Sequence, residues 1–252
     1  MGRRGLGVDV GGSGIKGAVV DLDVGALIGD RYKVPTPRPS TPDAVADAVK
    51  EVVSHLAWTE PFGATFPGAV IRGVARTAAN VDAGWVGADI ETLFGQATGL
   101  AVTALNDADA AGMAEVAFGA AKEQQGLVVV STLGTGIGTA LVHRGALIPN
   151  CELGHLEIDG RDAETRASAA AREREGMSWE KWARHLERYY RAVEDLLWPD
   201  LFVIGGGVSR KADRFLPLLH LRTPVVAAHL RNEAGIIGAA LMAGASSQRA
   251  PQ

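Results

Sequence analysis

The chain has 252 residues, 47% hydrophobic and 21% charged, with a formal net charge of −4 at pH 7. This is the balance of an ordinary globular protein of one large or two modest domains, and it argues against broad nucleic-acid binding. Cys151 is the single cysteine, which excludes an internal disulfide and a cysteine zinc cluster, and no stretch reaches the roughly 20 apolar residues of a membrane span, so a cytoplasmic protein without a membrane partner is expected.

Residues 5–10 (GLGVDV), 17–22 (GAVVDL) and 26–34 (ALIGDRYKV) read as three strands joined by tight turns. A helix is predicted next. Thr41 caps it, Pro42 suits its first position, and Val45, Val49, Val52, Val53 and Leu56 form one apolar stripe. FGATFPG (62–68) and LAVTALND (100–107) read as strands, and an Ala-rich helix follows to about Phe118. The second half repeats the order. GLVVVSTLG (126–134), GTALVHRG (138–145) and ALIP (146–149) are predicted strands, and residues 151–177 form an irregular insertion. A long helix runs from Ser178 to Trp198, stopped by Pro199, with Trp182, Leu186, Tyr189, Val193 and Leu196 as its buried face. DLFVIGGG (200–207) and TPVVAAHL (223–230) are predicted strands, and 234–244 closes as a helix.

The order β-β-β-α-β-α-β-α therefore occurs twice, which predicts an N-terminal α/β lobe over 1–125 and a C-terminal α/β lobe over 126–252. GGSGIKGAVV (11–20) matches GTGIGTALV (134–142). Two such lobes around a central cleft would set the two glycine turns across it.

The first turn offers Gly11, Gly12, Ser13, Gly14 and Lys16 to an anion, and Asp9 can hold a hydrated Mg²⁺. Its GxGxxG spacing is not a dinucleotide fingerprint, because a strand rather than a helix follows. An ordinary hairpin turn would look the same. The second turn offers Thr135 and Gly136, and Gly206 stands in a third glycine cluster that simple strand–helix packing would also explain. Asn106-Asp107 ends a predicted buried strand, where ligands of α/β sheets sit. Asp107 there can accept a hydroxyl proton, or serve only as a helix cap. Glu152, His155, Glu157 and Glu164 lie in the irregular insertion. They suit a polyol, a metal ion or plain solvent.

DVGGSGIKG, FPG, NDADAAGMAE, TLGTGIG, ELGH and IGGG occur in one order from about residue 5 to 244. In this the chain resembles the ROK family (repressors, open reading frames, kinases) of sugar kinases. AANVDAGW (78–85), ELGHLEIDGRDAE (152–164) and the segments 179–194 and 198–219 resemble its polyphosphate-using glucokinase branch. The resemblance implies an actin-like ATPase (ribonuclease H-like) fold and a cytoplasmic homodimer. It implies phosphoryl transfer from polyphosphate, with ATP a second donor, to the 6-hydroxyl of glucose. Asp107 is then the base. Asn106, Asp107, Glu152, His155 and Glu164 hold the sugar, with Asn80 and the Gly68 backbone beside them. Family members usually carry CxCGxxGCxE after the GH pair. This chain has IDGRDAE there, so no zinc is expected, and Mg²⁺ is the expected cofactor.

An ATP-dependent hexokinase acting on glucose or mannose is the alternative, as is a sugar-binding family member without activity. A repressor would need a DNA-binding module, and eight residues precede Asp9. A polyanionic donor would need a basic track. Arg210, Lys211 and Arg214 supply three cations within five positions, and Lys16 and Arg144 extend them, although a solvated helix face would read alike.

Overall fold

The computed structural model describes residues 2–247. In chain order its regular elements are β1 (Arg4–Val10), β2 (Ile15–Asp21), β3 (Ala26–Val34), α1 (Pro42–His55), β4 (Phe62–Phe66), β5 (Val70–Ile71), β6 (Val74–Ala75), α2 (Ile90–Thr98), β7 (Val102–Asn106) and α3 (Asp107–Phe118). There follow β8 (Leu127–Leu133), β9 (Ile137–His143), β10 (Ala146–Ile148), β11 (Glu157–Ile158), β12 (Arg161–Asp162), α4 (Glu164–Ala167), α5 (Ala169–Arg174), α6 (Trp179–Leu197), β13 (Leu201–Gly205), β14 (Val225–Ala227) and α7 (Ala234–Ser247).

The chain divides into two compact units. One contains the residues up to Ala114 and those from Glu233 onward, and the other runs from Glu115 to Asn232. The first holds a sheet in the order β3-β2-β1-β4-β7, and the second repeats it as β10-β9-β8-β13-β14. In each, the first three strands pair antiparallel and the next two add in parallel. The duplication read from the glycine turns is thus present strand for strand.

In the first unit α1 begins where expected, with the Thr41 hydroxyl accepting from the Ala44 N–H. Val45, Val49 and Val52 of its stripe are fully buried beside Leu6, Val8, Phe62 and Phe66. α7 packs by another rule. A Cβ at Gly7 or Gly63 would fall 1.9 Å from the carbonyl oxygen of Ile236 or Ala239, and one at Gly238 would fall 1.9 Å from that of Ala110. The helix lies backbone-to-backbone on β1, β4 and α3, which only glycine allows. For this reason the C-terminal helix belongs to the first unit. The division that the repeat suggested at residue 125 falls instead inside α3, with 114 as the last residue of the first unit.

In the second unit Ser178 caps α6 by accepting from the Lys181 N–H. Trp182, Leu186, Tyr189 and Val193 are buried as read from the sequence, but Leu196 is 64% exposed. The stripe drifts around the helix after Val193, and its next members are Glu194, whose carboxylate accepts from the Thr223 N–H, and the partly buried Leu197. Between β13 and β14 the expected helix is two short 3-10 segments, Gly207–Arg214 and Leu216–Leu218. Buried Glu115, not singled out from the sequence, accepts from the N–H groups of Ala120, His229 and Leu230.

Candidate active site

The first glycine turn joins β1 to β2. Gly11 donates its N–H to the Gly14 carbonyl at 3.1 Å, and its own carbonyl accepts from the Thr36 hydroxyl. Gly11 therefore locks the turn with both of its backbone polar groups. Asp9, at the end of β1, pairs with Lys16 at 2.8 Å and accepts from the Thr65 hydroxyl at 2.7 Å. A Cβ on Gly235 would lie 3.3 Å from the Asp9 carboxyl carbon, so the carboxylate faces the start of α7, where the helix dipole favours negative charge. Two cations missed in the sequence also reach this turn. Lys33 pairs with Lys16 across β2 and β3, and its Nζ would lie 3.2 Å from a Cβ on Gly14. Arg38 donates to the Gly12 carbonyl at 3.4 Å. Only the strand register, invisible in the sequence, puts Lys33 there. Asn80, at a positive φ of 62°, packs against Gly12, with its Cβ 3.0 Å from where a Gly12 Cβ would stand.

At the end of β7, Asn106 is nearly buried. Its side-chain oxygen accepts from the N–H groups of Ala108 and Asp109, and its amide donates to the Gly68 carbonyl at 3.0 Å. Asn106, rather than Asp107, thus makes the main cap of α3. The Gly68 N–H donates to Phe66, so both polar groups of Gly68 are engaged inside the protein. Asp107 is exposed, with one carboxylate oxygen accepting from the Ala108 N–H at 2.8 Å.

The second turn, between β8 and β9, repeats the first. Gly134 donates to the Gly136 carbonyl at 3.0 Å. Thr135 is exposed, and a Cβ on Gly136 would fall 2.2 Å from Glu164 Oε2, which accepts from the Ile137 N–H at 3.0 Å. Glu164 is therefore seated on this turn. Gly206, at a φ of 81°, follows β13 and presses on Leu133, whose carbonyl would be 2.3 Å from its Cβ.

Glu152 is exposed and precedes a single 3-10 turn that carries His155. His155 Nδ1 lies 2.7 Å from Asp162 Oδ2, and this hydrogen bond raises the imidazole pKa above its ordinary value, helped by the charges of Glu164, Asp162 and Glu152 and opposed by partial burial. Asp162 was not picked out from the sequence. The β11–β12 hairpin sets it opposite Glu157 and thereby beside His155. His155, Asp162 and Glu164 bring one ligand atom each within 4.8 Å of one another. Arg210, Lys211 and Arg214 are all exposed on the segment after Gly206. Arg214 is 3.6 Å from its neighbour Asp213. Arg144 is exposed in the turn between β9 and β10, at a φ of 52°. Among the described residues no helix is long and apolar enough to cross a membrane.

Two like sheets, each with a glycine turn after its first strand, and an acid at the end of β7 define the actin-like ATPase class of fold, which sugar kinases share. The chain belongs to the ROK family, whose model matches residues 5–171. It is 55% identical over 240 residues to a polyphosphate glucokinase of Mycobacterium tuberculosis, covering 95% of this chain and 91% of that one. A solved structure of an inorganic polyphosphate/ATP-glucomannokinase from Arthrobacter sp. strain KM matches with a TM-score of 0.92 and 52% identity over 96% of this chain and 99% of that one. A ROK family glucokinase from Streptomyces griseus shares the fold with a TM-score of 0.83 at 24% identity, over 96% of this chain and 100% of that one.

Proposed function

We propose that this protein transfers the terminal phosphoryl group of inorganic polyphosphate, with ATP as a second donor, to the 6-hydroxyl of glucose, giving glucose 6-phosphate. The observation that carries the reading is the exposed Asp107 carboxylate at the end of β7, beside an Asn106 whose amide and oxygen are already bonded into the protein. The relatives' names supply the substrate class.

Asn106, Glu152, His155 and Glu164 hold the sugar, with Asn80 nearby. Asp107 takes the proton of the 6-hydroxyl as that oxygen bonds to phosphorus and the donor's P–O bond breaks. The amides of Gly12, Ser13 and Gly14, together with Thr135, Gly136 and Gly206, receive the phosphates, and Lys16 and Lys33 balance their charge. Asp9 fits a water-mediated Mg²⁺, since one oxygen is shared with Thr65 and the other with a lysine that a phosphate could draw away. The ion would neutralise charge on the donor phosphates. Zinc has no part in this reading, and a cytoplasmic homodimer belongs to it. Purified protein incubated with glucose and either donor, with glucose 6-phosphate measured, tests it. Product with neither donor would overturn it.

A further inference from the structure

Beyond the three cations of the segment after Gly206, a fourth stands in a place the sequence did not single out. Arg172 of α5 sets its guanidinium carbon 3.6 Å from the centroid of the Trp179 indole, and the Lys211 ammonium lies 6.0 Å from the same centroid. The indole is fixed in turn. It stacks on Phe215 at 6.1 Å and 15°, and meets Trp182 edge-on at 5.9 Å. Phe215 and Trp182 are fully buried. No carboxylate of the described residues lies within 4.0 Å of Arg172 or Lys211. The Arg172 Nε is buried and has no hydrogen-bond partner in the protein.

Both cations are tethered to the second glycine turn. Two residues before Arg172, the Ala170 N–H donates to the Gly134 carbonyl at 3.0 Å. Lys211 rides on the segment Gly207–Arg214, whose start is pinned by Gly206 against Leu133. The pair therefore flanks a turn that, in the reading above, receives phosphate.

We propose that Arg172, Trp179 and Lys211 form a subsite for the body of a linear inorganic polyphosphate, beyond the phosphoryl group being transferred. The inference rests on the donor reading given above. A guanidinium held over an indole can still offer its terminal N–H groups to phosphate oxygens although its Nε is buried, and its ordering is already done before the ligand arrives. The same stack covers the indole, so a purine would have to displace Arg172 to use that face. A chain of phosphates needs no such displacement.

The test is equilibrium binding, without glucose, of long-chain polyphosphate, tripolyphosphate and ATP to the wild type, Arg172→Gln and Lys211→Gln, with turnover measured separately. Lys211→Gln changes an exposed side chain and guards against a folding defect in the other variant. Each variant should weaken long chains about fivefold more than tripolyphosphate or ATP, and should flatten the salt dependence of long-chain binding, because one phosphate contact is lost. Long-chain binding unchanged in both variants, or equal losses for all three ligands, would overturn the subsite. If the wild type binds long chains in this Arg172-dependent way yet transfers no phosphoryl group from them, the subsite stands and the donor reading falls.

Discussion

Gly136→Ala is the sharpest probe of how the second turn and the proposed sugar ligand Glu164 depend on each other. The new Cβ would sit 2.2 Å from Glu164 Oε2, well inside contact distance. Gly136 is not in the left-handed region, so alanine brings no backbone strain there. The clash is with the far end of a flexible side chain, so the carboxylate moves and the strand stays. Glu164 then loses the Ile137 N–H, a 3.0 Å bond, and leaves the place from which it is proposed to hold the sugar. A hydrogen bond to a charged group is worth about 1.5–3 kcal/mol. Losing one such bond from the sugar corresponds to a roughly ten- to hundredfold rise in glucose KM. The assay is steady-state kinetics with glucose varied at saturating donor, then donor varied at saturating glucose. Glu164→Gln is the companion, since its amide oxygen can still accept from Ile137 while the charge is gone. If Gly136→Ala raises only the donor KM and leaves that of glucose unchanged, Glu164 is not a sugar ligand and the turn acts on the donor alone.

Asp107→Asn should retain glucose binding and lose turnover by about a hundredfold or more, because an amide cannot take the proton; half the wild-type rate would reduce Asp107 to a helix residue. Asp162→Asn should lower the His155 pKa back toward about 6.5, the ordinary value, as read by imidazole NMR. Because the folded pKa is raised, the stability that His155 contributes is present in full below about 6.5 and fades as pH rises through the folded value. The variant should lose that fading edge, and an unchanged His155 midpoint would refute the link. Leu196→Ser should leave the thermal midpoint nearly unmoved, whereas Trp182→Ala should cost about 3–5 kcal/mol, since Leu196 is 64% exposed and Trp182 is fully buried. Comparable losses in chemical denaturation would contradict the drift of the α6 stripe.

The features legible in the sequence are those set by local chemistry. Thr41 and Ser178 cap their helices, the glycine turns close at matching places in both sheets, and the valine stripe of α1 faces the core. What escaped was set by contacts distant in sequence. The home of α7 depends on backbone contact at Gly7, Gly63 and Gly238, and hydrophobic period carries no trace of that. Helix α2 lay within the expected repeat without bounds, though Asp89, which accepts from the Thr92 N–H, and Gly99, in the left-handed region, mark both its ends. In the proposed site, Asp107, Glu164 and the two turns stand out in the sequence because residue type and order mark them. Lys33 depends on strand register, and Asp162 on a two-residue hairpin pairing.

That hairpin gives the departure from the family's cysteine pattern a physical meaning. Asp159, at its turn, pairs with Arg188 of α6 at 2.9 Å. Asp162, at its end, has both carboxylate oxygens in use, one beside His155 Nδ1 and one accepting from the Glu164 N–H at 3.1 Å. Glu164 then accepts from Ile137 at the second glycine turn. An unbroken series of contacts thus runs from α6 through the hairpin to His155, Glu164 and the turn. A hydrogen bond to Nδ1 fixes which imidazole nitrogen faces outward, as a metal bound at that nitrogen would. The sequence IDGRDAE can therefore orient His155 without cysteines. The same carboxylate holds Glu164 in register, so a change at Asp162 should reach both of the proposed sugar ligands at once, and a change at Gly136 only the second.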